Sequence, residues 1–147
     1  MPGYNEGPRI GPVVRAAADH LPVLVVDDGS KDDTADQARA AGATVLEQRP
    51  NLGKGAALRL GFERAIADGY DAVLTLDADG QHDPAEIPRF IGAYEVEPRP
   101  DLVIGRRNFR TMPPTRRLAN ELGGRAFSWA VGRPIPDNQS GYRLIGR

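Results

Sequence analysis

Two aspartates stand at alternate positions where an apolar run of the sequence ends. Asp77 and Asp79 follow the apolar residues 72–76, and Gly80 then allows the chain to turn. Because Mg²⁺ and Mn²⁺ prefer oxygen ligands, two such carboxylates can converge on one divalent cation and leave positions open for water and phosphate. The alternative interpretation is a strand followed by a helix start, with Asp83 as the N-cap. It explains Asp83 but leaves Asp77 and Asp79 without a role.

A second pair of acidic residues follows another apolar run. Asp27 and Asp28 come directly after residues 23–26. Turn formation and helix capping explain this pair as well as a binding role does, in which a carboxylate accepts hydrogen bonds from a nucleobase or a ribose. Lys54 stands in the Gly-rich stretch 51–56, which lacks the spacing of a phosphate loop. The stretch instead permits a tight helix start at which Lys54 can meet an anion.

Composition sets the limits of the protein class. The chain has 147 residues, 40% of them hydrophobic, which suits a single globular domain with a core of its own. It contains no stretch of about 18 apolar residues and no visible signal peptide, so we expect a cytoplasmic protein. The absence of cysteine excludes disulfides and thiolate metal sites.

Charge is distributed unevenly along the chain. Residues 1–104 carry 10 basic and 18 acidic side chains, which gives a net charge of −8. Residues 105–147 carry 9 basic and 2 acidic side chains, which gives a net charge of +7. The carboxyl-terminal third therefore offers a surface for anions.

Short apolar runs alternate with segments of helical periodicity. The runs predict strands at residues 22–26, 43–47, 72–76 and 102–104, and the periodic segments predict helices at residues 32–41, 54–68, 85–94 and 115–131. Runs this short and apolar are typical of strands that are buried on both faces. The sequence therefore predicts a three-layer α/β domain with a mostly parallel, Rossmann-like sheet and with its ligands at the carboxyl ends of the strands.

Five segments of the sequence occur in an order that is typical of one enzyme family. They are Pro-Gly-Tyr-Asn-Glu at 2–6, Val-Val-Asp-Asp-Gly-Ser-Lys-Asp-Asp-Thr at 25–34, Asn-Leu-Gly-Lys-Gly-Ala at 51–56, Leu-Asp-Ala-Asp-Gly-Gln-His-Asp-Pro at 76–84 and Asp-Asn-Gln-Ser-Gly-Tyr-Arg at 137–143. They resemble the inverting glycosyltransferases of the A-type fold, most closely the branch of dolichol-phosphate mannose synthase and bacterial polyprenyl-phosphate glycosyltransferases. The resemblance covers essentially the whole chain and implies the nucleotide-diphospho-sugar transferase fold.

The resemblance implies where the donor, a nucleotide-sugar of the GDP-mannose or UDP-glucose class, would bind. Its nucleoside would be held by five residues, of which the tyrosine packs on the base: Pro2, Tyr4, Glu6, Val26 and Asp28. Its diphosphate and a Mg²⁺ or Mn²⁺ ion would lie at Asp77, Ala78 and Asp79, with Gln81 as a further metal ligand. We therefore expect Asp79 to act in catalysis and Lys54 to bind substrate.

The resemblance also implies roles for residues of the basic tail. Phosphates would be held by Arg106 and by Arg116 or Arg117. The acceptor-side motif contributes Asp137, Gln139 and Ser140. Arg106 and Asp137 are the expected catalytic residues of this part.

The chemistry of the acceptor separates two interpretations of the tail. A hydroxyl acceptor needs a general base, for which Asp137 is the candidate. A lipid monophosphate is mostly dianionic near neutral pH, its second pKa being about 6, so it needs positioning by arginine rather than deprotonation. The excess of arginine favours a polyprenyl phosphate, dolichyl or undecaprenyl, as the acceptor, with inversion at the sugar carbon. A saccharide hydroxyl is the alternative.

Two features set the sequence apart from this family. Its members have a strand of four or five apolar residues directly before the segment at 2–6, and they continue beyond the segment at 137–143. We therefore expect part of a single catalytic domain that lacks its first strand, in which residues 1–104 bind the nucleotide-sugar and the metal and residues 105–147 form the basic acceptor side. Contact with the cytoplasmic face of the membrane would come through parts outside this chain, and we expect no nucleic-acid partner.

Two other function classes stay open. A sugar-phosphate nucleotidyltransferase would use a similar fold, but the sequence lacks the Gly-rich loop with Arg and Lys that such enzymes carry near the start. A non-catalytic fragment would bind a nucleotide-sugar without transferring the sugar. A measurement of turnover separates this last class from the enzyme.

Overall fold

A computed structural model describes residues 1–105, Gly132 and residues 140–147. The predicted helix at 115–131 lies outside the described residues, as do the candidate site residues Arg106, Arg116, Arg117, Asp137 and Gln139. Within the described part, none of the helices combines the length and the apolar character needed to cross a membrane.

The described residues form six strands and four α-helices. The strands are Pro2–Gly3 (β1), Leu24–Asp27 (β2), Thr44–Glu47 (β3), Ala72–Thr75 (β4), Leu102–Ile104 (β5) and Arg143–Gly146 (β6). The helices are Gly7–Ala18 (α1), Thr34–Ala40 (α2), Lys54–Ala67 (α3) and Ile87–Tyr94 (α4), and a 3₁₀ turn, Pro84–Glu86, leads into α4. Every strand and helix predicted between residues 22 and 104 is present, with ends that differ by at most two residues.

The strands form two sheets. Strands β1, β2 and β3 pair in parallel, with Pro2 opposite Val26 and Val25 opposite Val45. In the second sheet, β6 lies between β4 and β5 and runs antiparallel to both. The parallel sheet agrees with the prediction from apolar runs joined by helices. The sequence does not predict β6, because its residues Arg-Leu-Ile-Gly contain too few apolar positions to stand out.

Helices cover both faces of the parallel sheet. In β2, Val25 packs with Ile10 and Val14 of α1. The next residue, Val26, faces α3, where a side-chain carbon added at Gly61 would lie 3.5 Å from it. Because neighbouring residues of a strand point to opposite faces, α1 lies on one side of the sheet and α3 on the other. The predicted three-layer α/β class is confirmed.

Helix α1 is not predicted by the sequence. Its opening residues Gly-Pro-Arg-Ile-Gly-Pro are typical of a loop, and Pro12 stands inside the helix. Tertiary packing outweighs this local preference, since Ile10 and Val14 are fully buried. The first turn is also stabilised from outside, because the Gly7 N–H donates to Asp32 Oδ2 at 3.1 Å.

The amino terminus is enclosed beside an apolar cavity. The Met1 ammonium donates to the carbonyl oxygen of Leu24 at 2.8 Å, and the Val26 N–H donates to that of Met1 at 2.9 Å. The cavity next to it has a volume of about 180 Å³ and is lined mainly by apolar side chains of α1, β2, α3 and β4. Burial lowers the pKa of the Met1 amino group to about 6, against a smaller opposite effect of the Asp77 charge.

We expect the stability of this chain to rise with pH between about 6 and 8. The amino group has a pKa of about 6 in the folded chain and an ordinary value of 8.0, so in this window the unfolded chain binds more protons and the free energy of unfolding increases. The difference corresponds to about 2 to 3 kcal/mol, measurable by urea unfolding at both pH values. Amino-terminally acetylated protein is the control, because it keeps both histidines and has no amine. An equal increase in the acetylated protein would contradict the prediction.

Candidate active site

A second cavity, of about 190 Å³, opens where β1, β2 and β4 end. Nine residues line it: Pro2, Gly3, Tyr4, Glu6, Asp28, Lys54, Asp77, Ala78 and Asp79. For eight of them, all except Gly3, the sequence predicts a part in binding the donor or the metal. The strand ends thus bring together residues from four separate segments of the sequence, as is usual for this architecture.

Three described residues of the predicted site do not line this cavity. Val26 is 2% exposed and lines the apolar cavity instead. Gln81 is exposed in the loop after β4, whereas Ser140 is fully buried. The roles of these three residues in binding stay predictions.

The two aspartates of the metal prediction share one cavity wall but have different partners. Asp77 Oδ1 accepts from Lys54 Nζ at 2.6 Å, and the Asp77 N–H donates to His82 Nδ1 at 3.3 Å. Asp79 Oδ1 accepts from the Gln81 N–H at 2.9 Å, which closes the turn after β4. The part of the chain that the structure describes has no group of three or more His, Cys, Asp or Glu side chains placed for a metal ion. The carboxylates of Asp77 and Asp79 therefore suit a hard cation whose other ligands are water and phosphate oxygens.

The segment at 140–142 packs closely against the carboxylate of Asp77. A side-chain carbon added at Gly141 would lie 2.8 Å from Asp77 Oδ2, so any larger residue there would displace the carboxylate. Gly141 is itself fixed, because its carbonyl oxygen accepts from the Thr75 hydroxyl of β4 at 2.7 Å. The position of Asp77 therefore depends on a contact between segments that are far apart in the sequence.

Tyr142 fixes the loop between β4 and α4. Its ring stacks on His82 with centroids 5.1 Å apart and packs on Phe90 at 4.3 Å, and its hydroxyl donates to the carbonyl oxygen of Asp83 at 3.1 Å. Burial, reinforced by the charges of Asp83 and Glu86, raises the pKa of Tyr142 to about 12, so the hydroxyl stays a donor at neutral pH. Sequence reasoning missed this role, although Tyr142 lies in one of the five segments that carried the resemblance.

The segment at 4–6 is held by the acidic turn that follows β2. The N–H of Asn5, a residue with a φ of 53°, donates to Ser30 Oγ at 2.9 Å, and the Lys31 N–H donates to Asn5 Oδ1 at 2.8 Å. The Glu6 N–H donates to Thr34 Oγ1 at 2.7 Å. The cavity-lining residues on both sides of Asn5 are thereby fixed at their backbone.

Two aspartates of that turn have structural roles. Asp27 is 1% exposed, and its Oδ1 accepts from the Ser30 N–H at 3.2 Å and from the Ser30 hydroxyl. The Thr34 hydroxyl donates to Asp32, and this bond, together with the N–H groups of Gly7 and Thr34, lowers the pKa of the Asp32 carboxyl. Turn formation, one of the two interpretations that the sequence allows, therefore accounts for Asp27.

Asp28 differs from its neighbour, because it both lines the cavity and holds a distant loop. Its Oδ1 accepts from Gln48 Nε2 at 2.6 Å and from the Leu52 N–H at 2.8 Å, and its Oδ2 accepts from the Gly53 N–H at 2.7 Å. A carboxylate has about four acceptor positions, so one is left for a ribose hydroxyl or a base N–H. The same bonds set the start of α3, whose first residue is Lys54.

Comparison with solved structures identifies the class of fold. Glucosyl-3-phosphoglycerate synthase from Mycobacterium tuberculosis, in complex with Mn²⁺, UDP-glucose and phosphoglyceric acid, matches with a TM-score of 0.76. The match is 25% identical and covers 99% of this chain and 54% of that one. The same enzyme with phosphoglyceric acid matches with a TM-score of 0.75. The chain has the A-type glycosyltransferase fold, as the sequence predicts.

The family follows from comparison of sequences. Residues 1–145 match the model of glycosyl transferase family 2, and the chain belongs to that family. It is 33% identical to the undecaprenyl-phosphate mannosyltransferase of Micrococcus luteus, over 97% of this chain and 63% of that protein. It is 34% identical to the polyprenol monophosphomannose synthase of Mycolicibacterium smegmatis, over 100% of this chain and 60% of that protein. The resemblance inferred from the five segments is confirmed, and the chain spans less than two thirds of the length of these relatives.

Proposed function

We propose that this chain is part of the catalytic domain of an inverting glycosyltransferase that transfers a sugar from a nucleotide-diphospho-sugar to a polyprenyl phosphate. The observation that carries the proposal is the cavity at the strand ends, where four carboxylates and one lysine meet beside the exposed Tyr4. Such a wall suits a nucleoside diphosphate that arrives with a divalent cation. The structurally similar glucosyl-3-phosphoglycerate synthase holds Mn²⁺ and UDP-glucose in its complex, which supports a metal ion and a nucleotide-sugar as the ligands proposed for this chain.

Different residues of the cavity would bind different parts of the donor. Tyr4 is 45% exposed, so its ring can pack on the base. Asp28 offers its remaining acceptor position to the nucleoside, and Lys54 at the start of α3 is placed for the diphosphate. Asp77 and Asp79 would hold Mg²⁺ or Mn²⁺, which supplies positive charge against the charge that develops on the leaving diphosphate.

The acceptor side is assigned to residues 105–147, and donor and metal binding to residues 1–104. Arg106, with Arg116 or Arg117, would hold the phosphate of the lipid, because guanidinium groups bind phosphate through two parallel hydrogen bonds. The two bacterial relatives support this acceptor, since their names specify undecaprenyl phosphate and a polyprenol. With a membrane lipid as acceptor, the protein would act as a peripheral protein at the cytoplasmic face of a membrane.

A hydroxyl acceptor is the second candidate. It is favoured by the likeness to glucosyl-3-phosphoglycerate synthase, whose structures hold phosphoglyceric acid. A hydroxyl must lose its proton as it attacks the sugar carbon, and Asp137 is the residue assigned to accept that proton.

A panel of nucleotide-sugars tests the donor side. GDP-, UDP- and dTDP-sugars are added with and without Mn²⁺, and the melting temperature is measured, because a ligand that binds only the folded state raises it. The proposal requires that at least one nucleotide-sugar raises the melting temperature in a metal-dependent way. A chain that responds to none of them does not bind this class of donor.

For the acceptor side, we expect Arg106→Ala to reduce sugar transfer to polyprenyl phosphate about 10- to 100-fold in the full-length protein, with a smaller effect on donor binding. Loss of a charge-assisted hydrogen-bond donor to phosphate accounts for this size. Arg59→Ala is the matched control, because Arg59 is exposed on α3 and does not line the cavity. Preference for a free saccharide hydroxyl, with activity abolished by Asp137→Asn alone, would establish the second candidate instead.

A further inference from the structure

The active-site cavity has more acidic than basic side chains. Four of its nine lining residues are carboxylates, and Lys54 is the one cationic side chain among the lining residues that the structure describes. The donor proposed above is itself an anion, so this wall accepts it only with added positive charge. The position of the Lys54 ammonium before the donor arrives is therefore important.

The Lys54 ammonium lies on Asp77. Lys54 Nζ is 2.6 Å from Asp77 Oδ1, the distance of a charge-assisted hydrogen bond. Asp77 is the more enclosed partner, with 25% of its side chain exposed against 55% for Lys54. Its other oxygen, Oδ2, faces the backbone at Gly141. A metal ion that approaches Asp77 Oδ1 therefore meets the positive charge of the ammonium, which repels it.

The backbone of Lys54 is held while its side chain remains able to move. Asp28 accepts from the N–H groups of Leu52 and Gly53 at 2.8 and 2.7 Å, directly before α3 begins. The ammonium, in contrast, ends a flexible four-carbon chain that is half exposed. The ammonium can thus move from one anion to another without any change in the fold.

We propose that Lys54 couples metal binding to donor binding by changing its partner. In the free protein its ammonium holds Asp77. When the diphosphate of the donor enters, the ammonium moves to a phosphate oxygen and releases Asp77 to a divalent cation. This inference rests on the function proposed above. Because a coupling free energy is reciprocal, the metal in turn favours donor binding through the same residue.

Lys54→Met tests the coupling, with free Mn²⁺ measured by electron paramagnetic resonance as the readout. Without nucleotide, the variant should bind Mn²⁺ about fivefold more tightly than the wild-type chain, the upper end for removal of an ion pair that is partly open to solvent. UDP and GDP, tested separately, should tighten Mn²⁺ binding by a larger factor in the wild-type chain than in the variant. The titrations are made above about pH 7, where the Met1 amino group, with its pKa of about 6, is neutral.

Two further variants make the result specific. Lys31→Met is the matched control, because Lys31 is the other lysine of the chain, is exposed, and does not line the cavity. Lys54→Arg keeps the charge, so it should not gain the Mn²⁺ affinity that Lys54→Met gains. An unchanged or weaker Mn²⁺ affinity in Lys54→Met overturns the inference alone, provided that Mn²⁺ and a nucleotide bind the wild-type chain. If neither binds the wild-type chain, the proposed function fails as well.

Discussion

Replacing Asp79 with asparagine is expected to remove most of the metal-dependent binding of the nucleotide-sugar while the fold stays intact. Asparagine can still accept the Gln81 N–H that Asp79 Oδ1 accepts at 2.9 Å, so the turn after β4 is kept. The substitution removes one of the two carboxylates, and the remaining one holds a hard divalent cation weakly. We expect the affinity for the donor in Mn²⁺ to fall on the order of 100-fold.

Isothermal titration calorimetry with the donor, in Mn²⁺ and in EDTA, measures this loss. Asp83→Asn is the matched control in the same loop, because Asp83 caps the helical turn by accepting from the Ala85 N–H at 3.0 Å, and asparagine caps a helix equally well. The control should bind the donor as the wild-type chain does. Equal affinities of the wild-type chain in EDTA and in Mn²⁺ would show that the site does not depend on a metal.

Part of the cavity can be predicted from the sequence without the resemblance, because three of its four acidic residues, Asp28, Asp77 and Asp79, follow short apolar runs. Asp28 and Asp77 come after β2 and β4, and the carboxyl ends of these strands meet at one edge of the fold. The partner of each carboxylate cannot be predicted in this way. Asp27 and Asp28 are neighbours with the same chemistry, yet Asp27 bonds within its own turn and Asp28 holds a loop 24 and 25 residues further along. Neighbouring residues at a strand end point in opposite directions, and only the fold decides what lies on each side.

Local sequence signals fail where long-range contacts decide the structure. Helix α1 forms although it contains Pro12, because Ile10 and Val14 are buried against β2. Strand β6 forms because β4 and β5 offer it a partner on each side, with Thr75 opposite Arg143. The support of Asp77 by the segment at 140–142 depends on that pairing. The role of the segment at 140–142 can therefore be recognised only in the folded structure, where this segment lies beside Asp77.

An apolar strand, Val-Val-Val-Ile, added before Met1 is expected to raise the melting temperature of the chain by about 10 °C. Strand β1 pairs only two residues with β2, which itself has four, and the pairing ends at the bond from the Met1 ammonium to Leu24. The apolar cavity of about 180 Å³ lies beside this end, between β2 and β4. An added strand can therefore extend the parallel pairing and place its side chains in the cavity.

The size of the effect follows from burial and chain entropy. Each buried Val or Ile side chain contributes about 1.5–3 kcal/mol, whereas ordering one residue costs about 1.5 kcal/mol. Four residues leave a net gain of about 3 kcal/mol, and for a chain of this length each kcal/mol raises the melting temperature by about 2–4 °C. The gain depends on the side chains being apolar.

A polar extension of equal length, Gly-Ser-Gly-Ser, is the control for a second effect on stability that any extension of the amino terminus has. Both extensions move the amino group away from its enclosed position, where burial lowers its pKa to about 6, and both therefore remove the same cost of enclosing that group. The difference between the two extended chains in differential scanning calorimetry then reports what the apolar side chains add, through their burial and their preference for a strand. Equal melting temperatures for the two extensions would mean that the cavity does not accept the added strand, because both extensions displace the amino group equally and only one of them carries apolar side chains.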